Sequence, residues 1–489
     1  MPDQTSKSDI ADLRAVLTDA GYDTANLSQL LGSVEPPSAS GLAMVLNRTR
    51  APSTINALVR LFLVGNTLPE EELRKVLPNS MVDMCLQSGL LEANEGLLRA
   101  NIVIVPIENL LFASDAFHKL GSEQSSDFVL PASTRAGNVL RHLTMRTEVG
   151  RALDLGCGCG IQALLAARHS NSVVATDISA AAVRYTEFNA MLNNIENIEC
   201  RQGNLFEPVA NEKFDLIISN PPFVVGPSED FVYRDNSLEL DDFCRQIVSE
   251  APTYLTEGGF LQMLCEWVER PEQPWQDRLM RWTQDGNVDT WVLRSSSIEP
   301  ARYVTRRLTD ISGGGFQPGT SYDDWLNYLE QRDVVAIHPG MIALRRRSGD
   351  NWFRIYSMTS EPEASMGDSI LKSFAANDFA GLCEDDATLL EAVLSISPAL
   401  QLEQRFSRDN DAWDEGTSVL KLDNPLPMEC EVDLPVLAFI NQIDGKRTVR
   451  ESIARFTKLT GTDVAELSTQ LLPAVRLFIS NGFLEPTDA

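Results

Sequence analysis

The sequence contains few of the residues that build metal sites and disulfides. It has only four histidines among 489 residues, and its eight cysteines include no Cys-x-x-Cys pair. Structural zinc sites usually need closely spaced Cys and His ligands, so we expect no metal. Cys157 and Cys159 flank a glycine, where their side chains would diverge, and we expect neither a disulfide nor a metal there. The scattered cysteines are typical of a reducing cytosol, which predicts a cytoplasmic protein.

Positive charge and long apolar runs are also scarce. The chain has 41 Lys and Arg residues against 69 Asp and Glu residues, and its formal net charge is −28. This balance excludes a protein whose whole surface coats nucleic acid, but it leaves room for a local basic groove. No apolar run reaches 18 residues and the first residues lack an apolar core. We therefore expect no transmembrane helix, no membrane partner and no signal peptide.

The length predicts about three domains, and the first is expected at residues 1–115. Helical patterns at residues 53–63, after Thr67 and at residues 81–87 precede two β-rich pieces. Three short helices followed by a hairpin indicate a winged-helix-like module. Many such modules bind nucleic acid through their third helix. Here the third helix carries no Lys or Arg, so a packing or dimerisation domain is the alternative.

Strands alternate with helices over residues 116–350, beginning at Arg151. This rhythm predicts an α/β domain with a doubly wound, mainly parallel sheet of seven strands. Residues 334–337 and 341–345 are expected to close the sheet as a hairpin. Residues 361–489 are strongly acidic and predict a second small, mainly helical, winged-helix-like domain. Its helix end at residues 481–485 echoes residues 88–92, although helix ends of this kind also look alike by chance.

Residues 154–160 form a glycine-rich turn directly after a predicted strand, with the form D-x-G-x-G-x-G. The third glycine comes one residue earlier than in the dinucleotide fingerprint, and an acid precedes the turn, so a pyrophosphate is not expected. Asp154 could receive a cationic group. Asp177 ends the next strand, where a carboxylate meets ribose hydroxyls, and Asn204 could bond an adenine edge. The alternatives are another nucleotide-type ligand at the turn, and a helix-capping role for Asp177.

A second motif, Asn220-Pro221-Pro222-Phe223, follows a buried strand. Together with the glycine turn it resembles the class I S-adenosylmethionine-dependent methyltransferases, over about residues 125–346. The tetrapeptide is similar to the (N/D/S)-P-P-(F/Y) motif of the amino-methylating branch, which acts on adenine in DNA, guanine in ribosomal RNA or glutamine in release factors. The alternative is a plain strand terminator.

The resemblance implies a role for each motif residue. The Asn220 side-chain oxygen and the Pro221 carbonyl would accept hydrogen bonds from the target NH₂, Pro222 would help fix the backbone, and Phe223 would stack on the target. S-adenosylmethionine is the implied cofactor. The implied cofactor-binding residues are Asp154, Gly156, Cys157, Gly158, Gly160, Asp177, Ile178, Asn204, Leu205 and Asn220.

The predicted reaction is methyl transfer to an exocyclic or amide nitrogen. An amide or aniline-like nitrogen is a poor nucleophile because its lone pair is delocalised, and two fixed acceptors on its N–H bonds favour pyramidal geometry. RNA, most plausibly ribosomal RNA, is the first expected substrate and partner. Protein glutamine is the second, since residues 129–131, Val-Leu-Pro, resemble a segment of the glutamine methyltransferases. A small natural product and a catalytically silent cofactor-binding module stay open.

Further substrate contacts are expected just after the tetrapeptide and at two basic clusters. Tyr233 and Arg234 could stack on or clamp the substrate, or Arg234 could form a loop ion pair with Asp235. The clusters are candidate phosphate contacts or solvated faces; they comprise Arg345, Arg346 and Arg347, and Arg302, Arg306 and Arg307. Three residues differ from the patterns of the families that the chain resembles, so the substrate stays open. Phe223 stands where glutamine methyltransferases usually have Tyr, and Val224 stands where the RNA enzymes often have His. Asn204 stands where Asp is more frequent.

Overall fold

The computed structural model describes residues 6–37, 39–120, 127–227, 238–312, 320–358, 362, 365–409, 412–423, 426, 428–461 and 464–487. The chain forms two compact units. The first comprises Met1–Arg141 and Glu148–Ser357, and the second comprises His142–Thr147 and Met358–Ala489. The division into domains at 1–115, 116–350 and 361–489 stays a prediction.

The first unit begins with short helices and antiparallel strands. Its first helices are α1 (Lys7–Asp19), α2 (Thr24–Leu31), α3 (Ala39–Arg48), α4 (Thr54–Leu58), α5 (Glu70–Val76) and α6 (Asn79–Gln87). Its first strands are β1 (Leu68–Pro69), β2 (Leu91–Asn94), β3 (Leu97–Ala100), β4 (Ile102–Ile107) and β5 (Leu110–Asp115). Helix α4 continues into a π-helical turn, Val59–Leu63. Strands β1–β3 form a sheet in the order β1-β3-β2, and β4 pairs with β5 alone. The three helices expected from the sequence correspond to α4, α5 and α6, and strands β2–β5 follow them, whereas α1–α3 and β1 were not expected.

A large mixed sheet follows, and it has eight strands rather than the expected seven. Its strands are β6 (Val149–Leu155), β7 (Ser170–Asp177), β8 (Ile198–Gln202), β9 (Phe214–Ser219), β10 (Leu255–Glu269), β11 (Val288–Arg294), β12 (Ala336–Arg346) and β13 (Phe353–Ser357). The order is β13-β11-β12-β10-β9-β6-β7-β8, and only β12 runs antiparallel to its neighbours. The additional strand, β13, pairs with β11 at the edge.

The predicted closing hairpin at residues 334–345 is wrong. These residues form the single strand β12, which pairs with β10 from Ala336 to Arg345. Pro339 and Gly340 lie inside this strand. A Cβ at Gly340 would lie 2.3 Å from the Leu293 carbonyl oxygen. The glycine is therefore required by close packing within the sheet and not by a turn.

Helices cover both faces of the large sheet. They are α7 (Arg135–Leu143), α8 (Ile161–Ala166), α9 (Ala180–Leu192), α10 (Asp242–Glu250), α11 (Trp275–Thr283), α12 (Pro300–Ser312) and α13 (Tyr322–Glu330). Successive residues of a strand face opposite sides of its sheet. In β6 the Asp154 side chain reaches α8, whereas Leu153 and Leu155 pack in the cluster that holds Ile247 of α10 and Leu279 of α11. Helix α8 thus lies opposite α10 and α11.

Two asparagines of α9 attach the β4–β5 hairpin to the large sheet domain. Asn189 accepts a hydrogen bond from the Ala113 N–H at 2.8 Å and donates to the Ala113 carbonyl at 2.9 Å. Asn193, one turn later, makes the same pair of bonds with Leu111 at 2.8 and 2.7 Å. Each side-chain amide therefore replaces a neighbouring strand. One apolar cluster extends from α1 through the hairpin to Phe188 of α9.

The second unit combines helices with short antiparallel sheets. Its helices are α14 (Gly367–Leu382), α15 (Asp386–Glu391), α16 (Leu434–Ile440), α17 (Val449–Thr460) and α18 (Val464–Ser480). Its strands are β14 (Leu394–Ile396), β15 (Leu400–Asp409), β16 (Ala412–Leu422), β17 (Glu429–Val432) and β18 (Leu484–Pro486). Strand β14 pairs with β18. The echo at residues 88–92 and 481–485 has a structural counterpart, because Gly89 and Gly482 both take positive φ between a helix and a strand.

The described residues include no helix that is both long and apolar enough to cross a membrane.

Candidate functional site

The two sequence motifs meet at the carboxyl ends of adjacent strands of the large sheet. Strands β6 and β9 pair in register, with Leu155 opposite Ser219, so the glycine turn and Asn220 emerge side by side. A pocket opens between them. Its lining includes Asp154, Gly156, Cys157, Gly158, Asp177, Ile178, Asn204, Leu205, Asn220, Pro221 and Pro222. Most of the predicted site residues are thus brought together.

The three glycines of the turn have different surroundings. All three take positive φ: 78° at Gly156, 56° at Gly158 and 81° at Gly160. A Cβ at Gly156 or Gly158 would meet no atom within 4 Å, whereas one at Gly160 would lie 2.8 Å from Thr186. The first two glycines line the pocket and keep it open. Gly160 precedes α8 and allows this helix to pack against α9. Helix packing therefore explains why position 160, predicted as a cofactor contact, is a glycine.

Asp154 is almost completely buried at the floor of the pocket, with 2% of its surface exposed. One carboxylate oxygen accepts a hydrogen bond from the Ala163 N–H at 2.8 Å. Burial raises the pKa of Asp154 to about 7, and the nearby charge of Asp177 contributes to the rise, while the Ala163 hydrogen bond opposes it. A cationic group in the pocket would stabilise the ionised form of this carboxyl.

Asp177 ends β7 and holds the glycine turn. Its carboxylate accepts hydrogen bonds from the N–H groups of Gly158 and Ser179, both at 2.9 Å. Burial raises the pKa of Asp177, although these hydrogen bonds act in the opposite direction. The alternative prediction was that Asp177 caps the following helix. The side chain that caps α9 belongs to Ser179 instead. The Asp177 carboxylate instead connects the ends of β6 and β7.

Two buried polar atoms on the pocket wall have no hydrogen-bond partner among the described residues: the side-chain oxygens Oδ1 of Asn220 and Oγ1 of Thr176. A buried acceptor without a partner costs free energy, so such atoms in a pocket suggest a ligand that completes them. The strand before Asn220 is firmly held, since the Ser219 hydroxyl donates to the Leu155 carbonyl at 2.8 Å.

One further predicted residue, Phe223, lies outside the pocket lining. It is partly buried and packs against two apolar clusters. It follows Asn220 by three residues in the chain. Tyr233 and Arg234 lie outside the described residues.

Sequence reasoning missed part of the pocket wall. The segment from Asp127 to Ala132 lines the pocket, together with Thr134, Gly137 and Gln162. Gln162 of α8 donates to the Gly137 carbonyl at 3.3 Å, which joins this segment to the glycine turn. The Val-Leu-Pro phrase at residues 129–131 was the available signal. Phe243 and Ile247 of α10 also line the pocket, and nothing in their sequence context distinguishes them from core residues.

The charge of the pocket is acidic. Its described lining includes three carboxylates, from Asp127, Asp154 and Asp177, and no Lys, Arg or His. A pyrophosphate would need compensating positive charge or a free helix N-terminus, so the lining fits a cationic ligand better than a dinucleotide. The described residues also contain no group of three or more His, Cys, Asp and Glu that could hold a metal ion.

The basic cluster at Arg345–Arg347 is engaged within the protein. Arg345 and Arg347 pair with the buried carboxylate of Asp289 at 2.5 and 2.7 Å, and Arg346 donates to the Pro252 carbonyl. Because β12 is antiparallel, its last residues lie at the amino edge of the sheet, opposite the pocket. These arginines are therefore poorly placed for phosphate contacts near the site. In the other cluster, Arg307 pairs with buried Glu266.

Comparison with protein families identifies two matching regions. The family described as methyltransferase small domain matches residues 135–281. A family described as a domain of unknown function matches residues 19–101. The first region contains the glycine turn, the tetrapeptide and most of the pocket lining.

Comparison with individual proteins gives relatives over the same region. The ribosomal RNA small subunit methyltransferase C of Alcanivorax borkumensis is 32% identical over 128 residues, which cover 26% of this chain and 35% of that protein. A release factor glutamine methyltransferase of Xylella fastidiosa is 30% identical over 200 residues, which cover 38% of this chain and 72% of that protein. Among solved structures, a ribosomal protein L11 methylase of Lactobacillus delbrueckii matches 43% of this chain and 76% of its own chain, at 17% identity and a TM-score of 0.25.

Proposed function

Because the chain belongs to the S-adenosylmethionine-dependent methyltransferases of the branch that includes the ribosomal RNA and release factor glutamine enzymes, we propose that it methylates an exocyclic or amide nitrogen. The first proposed substrate class is RNA, and the second is a protein glutamine. The chain spans about a third of the ribosomal RNA enzyme it matches, so the activity of the whole protein is part of the proposal.

The observation that carries the proposal is the unpartnered Oδ1 of Asn220 on the pocket wall. A side-chain amide oxygen that is buried and lacks a partner can accept an N–H bond at little cost, because no existing bond has to break. A target NH₂ in the pocket mouth would supply that donor. This acceptor lies beside the glycine turn because β6 and β9 are neighbours.

The residues around the pocket can hold the cofactor. The carboxylates of Asp154 and Asp177 complement a cationic ligand, and Gly156 and Gly158 leave the space that it needs. We assign the hydroxyl groups of the ribose to Asp177 and the adenine to Ile178, Asn204 and Leu205, which also line the pocket. S-adenosylmethionine supplies an electrophilic methyl group on a sulfonium. Cys157 contributes its backbone, since its buried thiol has a raised pKa and stays neutral.

The chain's own contribution to the reaction is to orient the acceptor nitrogen. Asn220 Oδ1 and the Pro221 carbonyl would each hold one N–H bond, so that the nitrogen lone pair points into the pocket. Two consecutive prolines restrict the backbone, which keeps the two acceptors in place before the substrate binds. Phe223 would contact the planar group that carries the nitrogen. A strong base is unnecessary, because the methylated nitrogen becomes cationic and readily releases a proton from an N–H bond.

The choice of RNA as the first substrate class is supported by the ribosomal RNA relatives and by the order of elements in the N-terminal region. Helices α4–α6 and the sheet β1-β3-β2 support our proposal of a winged-helix-like module here, and modules of this type often bind nucleic acid. A specific observation favours the protein substrate as the second class. The segment at residues 129–131 lines the pocket and resembles glutamine methyltransferases, one of which is covered to 72% of its length.

The test is methyl transfer from tritiated S-adenosylmethionine into two fractions of a strain that lacks this chain: deproteinised RNA and ribonuclease-treated protein. The wild-type chain should label one fraction, and Asn220→Ala should lower the rate about a hundredfold or more while cofactor binding by calorimetry is retained. Asn47→Ala, at an exposed position of α3, is the matched control and should behave as wild type. Normal transfer by Asn220→Ala contradicts the assigned role, and absence of cofactor binding by the wild type contradicts the function.

A further inference from the structure

The segment that follows the tetrapeptide is held by an insertion between two strands of the large sheet. Helices α12 and α13 lie between β11 and β12 in the chain, and they form an apolar cluster with Val224 and Val225. The Val225 N–H donates to the hydroxyl of Tyr303 on α12 at 2.9 Å. Both residues are completely buried. The backbone two residues beyond Phe223 is therefore anchored to a helix of the insertion.

The Tyr303 hydroxyl is itself oriented by a buried ion pair. It donates to a carboxylate oxygen of Glu266 at 2.6 Å, and the other oxygen of Glu266 pairs with Arg307, one turn further along α12. Because the hydroxyl hydrogen points to Glu266, the lone pairs of the oxygen face the Val225 N–H. Burial raises the pKa of Tyr303, so the hydroxyl keeps its proton at any neutral pH. The direction of each hydrogen bond in this chain is thus defined.

The position of Glu266 explains why this network bears on the site. In the pairing of β10 with β9, Met263 lies opposite Ser219, so Glu266 lies three residues further toward the carboxyl edge. This is the edge from which Asn220 emerges. A carboxylate with only 2% of its surface exposed is costly unless it is paired. Here Glu266 lies three residues before the end of β10, the strand that pairs with β9.

A second contact fixes the same stretch of backbone from another side. Gly226 lies against the indole ring of Trp325 on α13, and a Cβ at Gly226 would come within 2.3 Å of that ring. The segment from Phe223 to Gly226 therefore has one hydrogen-bonded anchor and one packed anchor, both from the insertion. Tyr303, Glu266, Arg307 and Trp325 do not line the pocket, and Tyr303 and Trp325 contact the chain just after the tetrapeptide.

We propose that Tyr303 is a positioning residue for the acceptor nitrogen, which holds Phe223 and the tetrapeptide in register through the amide of Val225, with Glu266 and Arg307 fixing its hydroxyl. The inference rests on the proposed function and deepens it. The α12–α13 insertion governs the geometry of the target, whereas the glycine turn, Asp154 and Asp177 govern the cofactor.

The test compares Tyr303→Phe with Tyr22→Phe. Both remove a hydroxyl hydrogen bond of a buried tyrosine, because the Tyr22 hydroxyl donates to the Ile104 carbonyl at 2.8 Å in the N-terminal region. Three quantities are measured for each protein: kcat and KM for tritiated methyl transfer into the fraction that the wild type labels, the calorimetric Kd for S-adenosylmethionine, and the melting temperature. A role limited to stability would lower the melting temperature of both variants and leave kcat unchanged.

For Tyr303→Phe we expect kcat to fall about tenfold to a hundredfold, since small displacements of an orienting group have effects of this size. Its Kd for the cofactor should stay within about twofold of wild type, and Tyr22→Phe should keep the wild-type kcat. A second variant, Glu266→Gln, keeps an acceptor for the Tyr303 hydroxyl but removes the charge pair with Arg307, and should lower kcat by less.

Three results would overturn the inference while the proposed function stands. The first is an active wild type with an unchanged kcat in Tyr303→Phe, and the second is an equal loss of kcat in Tyr22→Phe. The third is loss of cofactor binding in Tyr303→Phe, which would mean that Tyr303 serves folding. An inactive wild type that binds the cofactor would instead overturn the proposed function.

Discussion

The carboxylate of Asp177 accepts a hydrogen bond from the Gly158 N–H at 2.9 Å, and this bond connects the end of one strand to the turn of its neighbour. The second oxygen accepts from Ser179. The carboxylate therefore does two things at once: it shapes the glycine turn, and it contributes negative charge to a pocket without cationic side chains among its described lining residues.

Asp177→Asn should weaken S-adenosylmethionine binding at least about tenfold, or about 1.4 kcal/mol. The substitution removes the charge, and one orientation of the amide would point its NH₂ at the Gly158 N–H, so the turn loses its acceptor. Calorimetric titration measures the change. Asp215→Asn is the control, because Asp215 also accepts a backbone bond, from Arg151 at 2.8 Å, but at the opposite edge of the sheet. Equal losses in both variants would contradict a local role for Asp177.

Alanine substitutions at two glycines of the turn should separate binding from stability. Each introduces a side chain at positive φ, which costs roughly 1–2 kcal/mol. In Gly158→Ala the new methyl group enters open pocket space, so cofactor affinity should fall strongly. In Gly160→Ala it collides with Thr186, which adds about 1–3 kcal/mol of overpacking. Urea unfolding and calorimetry of both variants test this, and equal cofactor affinity in the two would contradict the distinction.

The location of the site could be predicted from the sequence because its signals are local. The turn at residues 154–160 follows a strand directly, and Asn220 follows another, so each motif identifies its own strand end. The sequence did not predict that the two strands are neighbours; this follows from the structure, in which Leu155 lies opposite Ser219. The prediction of seven strands missed β13, because β13 is a short, half-exposed edge strand without a distinctive sequence pattern.

Long-range polar partners could not be predicted, because each partner looks ordinary in its own segment. Asp289 is the second residue of β11 and Arg345 the second-last residue of β12, and they become neighbours only through the strand register. The arginine run therefore suggested a phosphate site. Glu266 and Tyr303 are separated by 37 residues and belong to a strand and a helix with unremarkable patterns. The hydrogen bond between Tyr303 and Glu266 forms only because the α12–α13 insertion packs back against the large sheet.

The raised pKa of Asp154 predicts an unusual pH dependence of stability without cofactor. Its folded value of about 7 lies above the ordinary value of 3.8, so between these values the folded state binds more protons than the unfolded state. The contribution of Asp154 to the free energy of unfolding is fully present below pH 3.8. It is lost as the pH rises through about 7, by up to about 1.4 kcal/mol per pH unit. Urea unfolding at several pH values measures the slope.

Asp154→Asn provides the comparison, because the amide oxygen can still accept from Ala163 but no longer titrates. The slope should disappear in the variant. A cationic cofactor favours the ionised carboxyl, so wild-type affinity for S-adenosylmethionine should rise with pH up to about 7 and then level off, and binding near pH 6 should release a proton. Identical pH profiles of wild type and variant would contradict the assignment of the slope to Asp154.

The Asp289 cluster should matter for stability and not for methyl transfer. Asp289 is fully buried and pairs with two arginines. Burial alone would raise the pKa of Asp289, but the hydrogen bonds from Arg347 and Arg345 outweigh this and lower it. Its stabilisation is therefore present above the ordinary aspartate range and is lost only as the pH falls through the depressed value.

Asp289→Asn leaves both guanidinium groups without a charged partner and should cost about 3 kcal/mol or more in the free energy of unfolding at pH 7. The exposed Asp323→Asn in α13 is the control and should change it by less than about 0.5 kcal/mol. Methyl transfer per folded molecule should be unchanged, because the cluster lies at the amino edge of the sheet, away from Asn220. A variant of normal stability with impaired transfer would indicate instead that Arg345 and Arg347 serve the substrate.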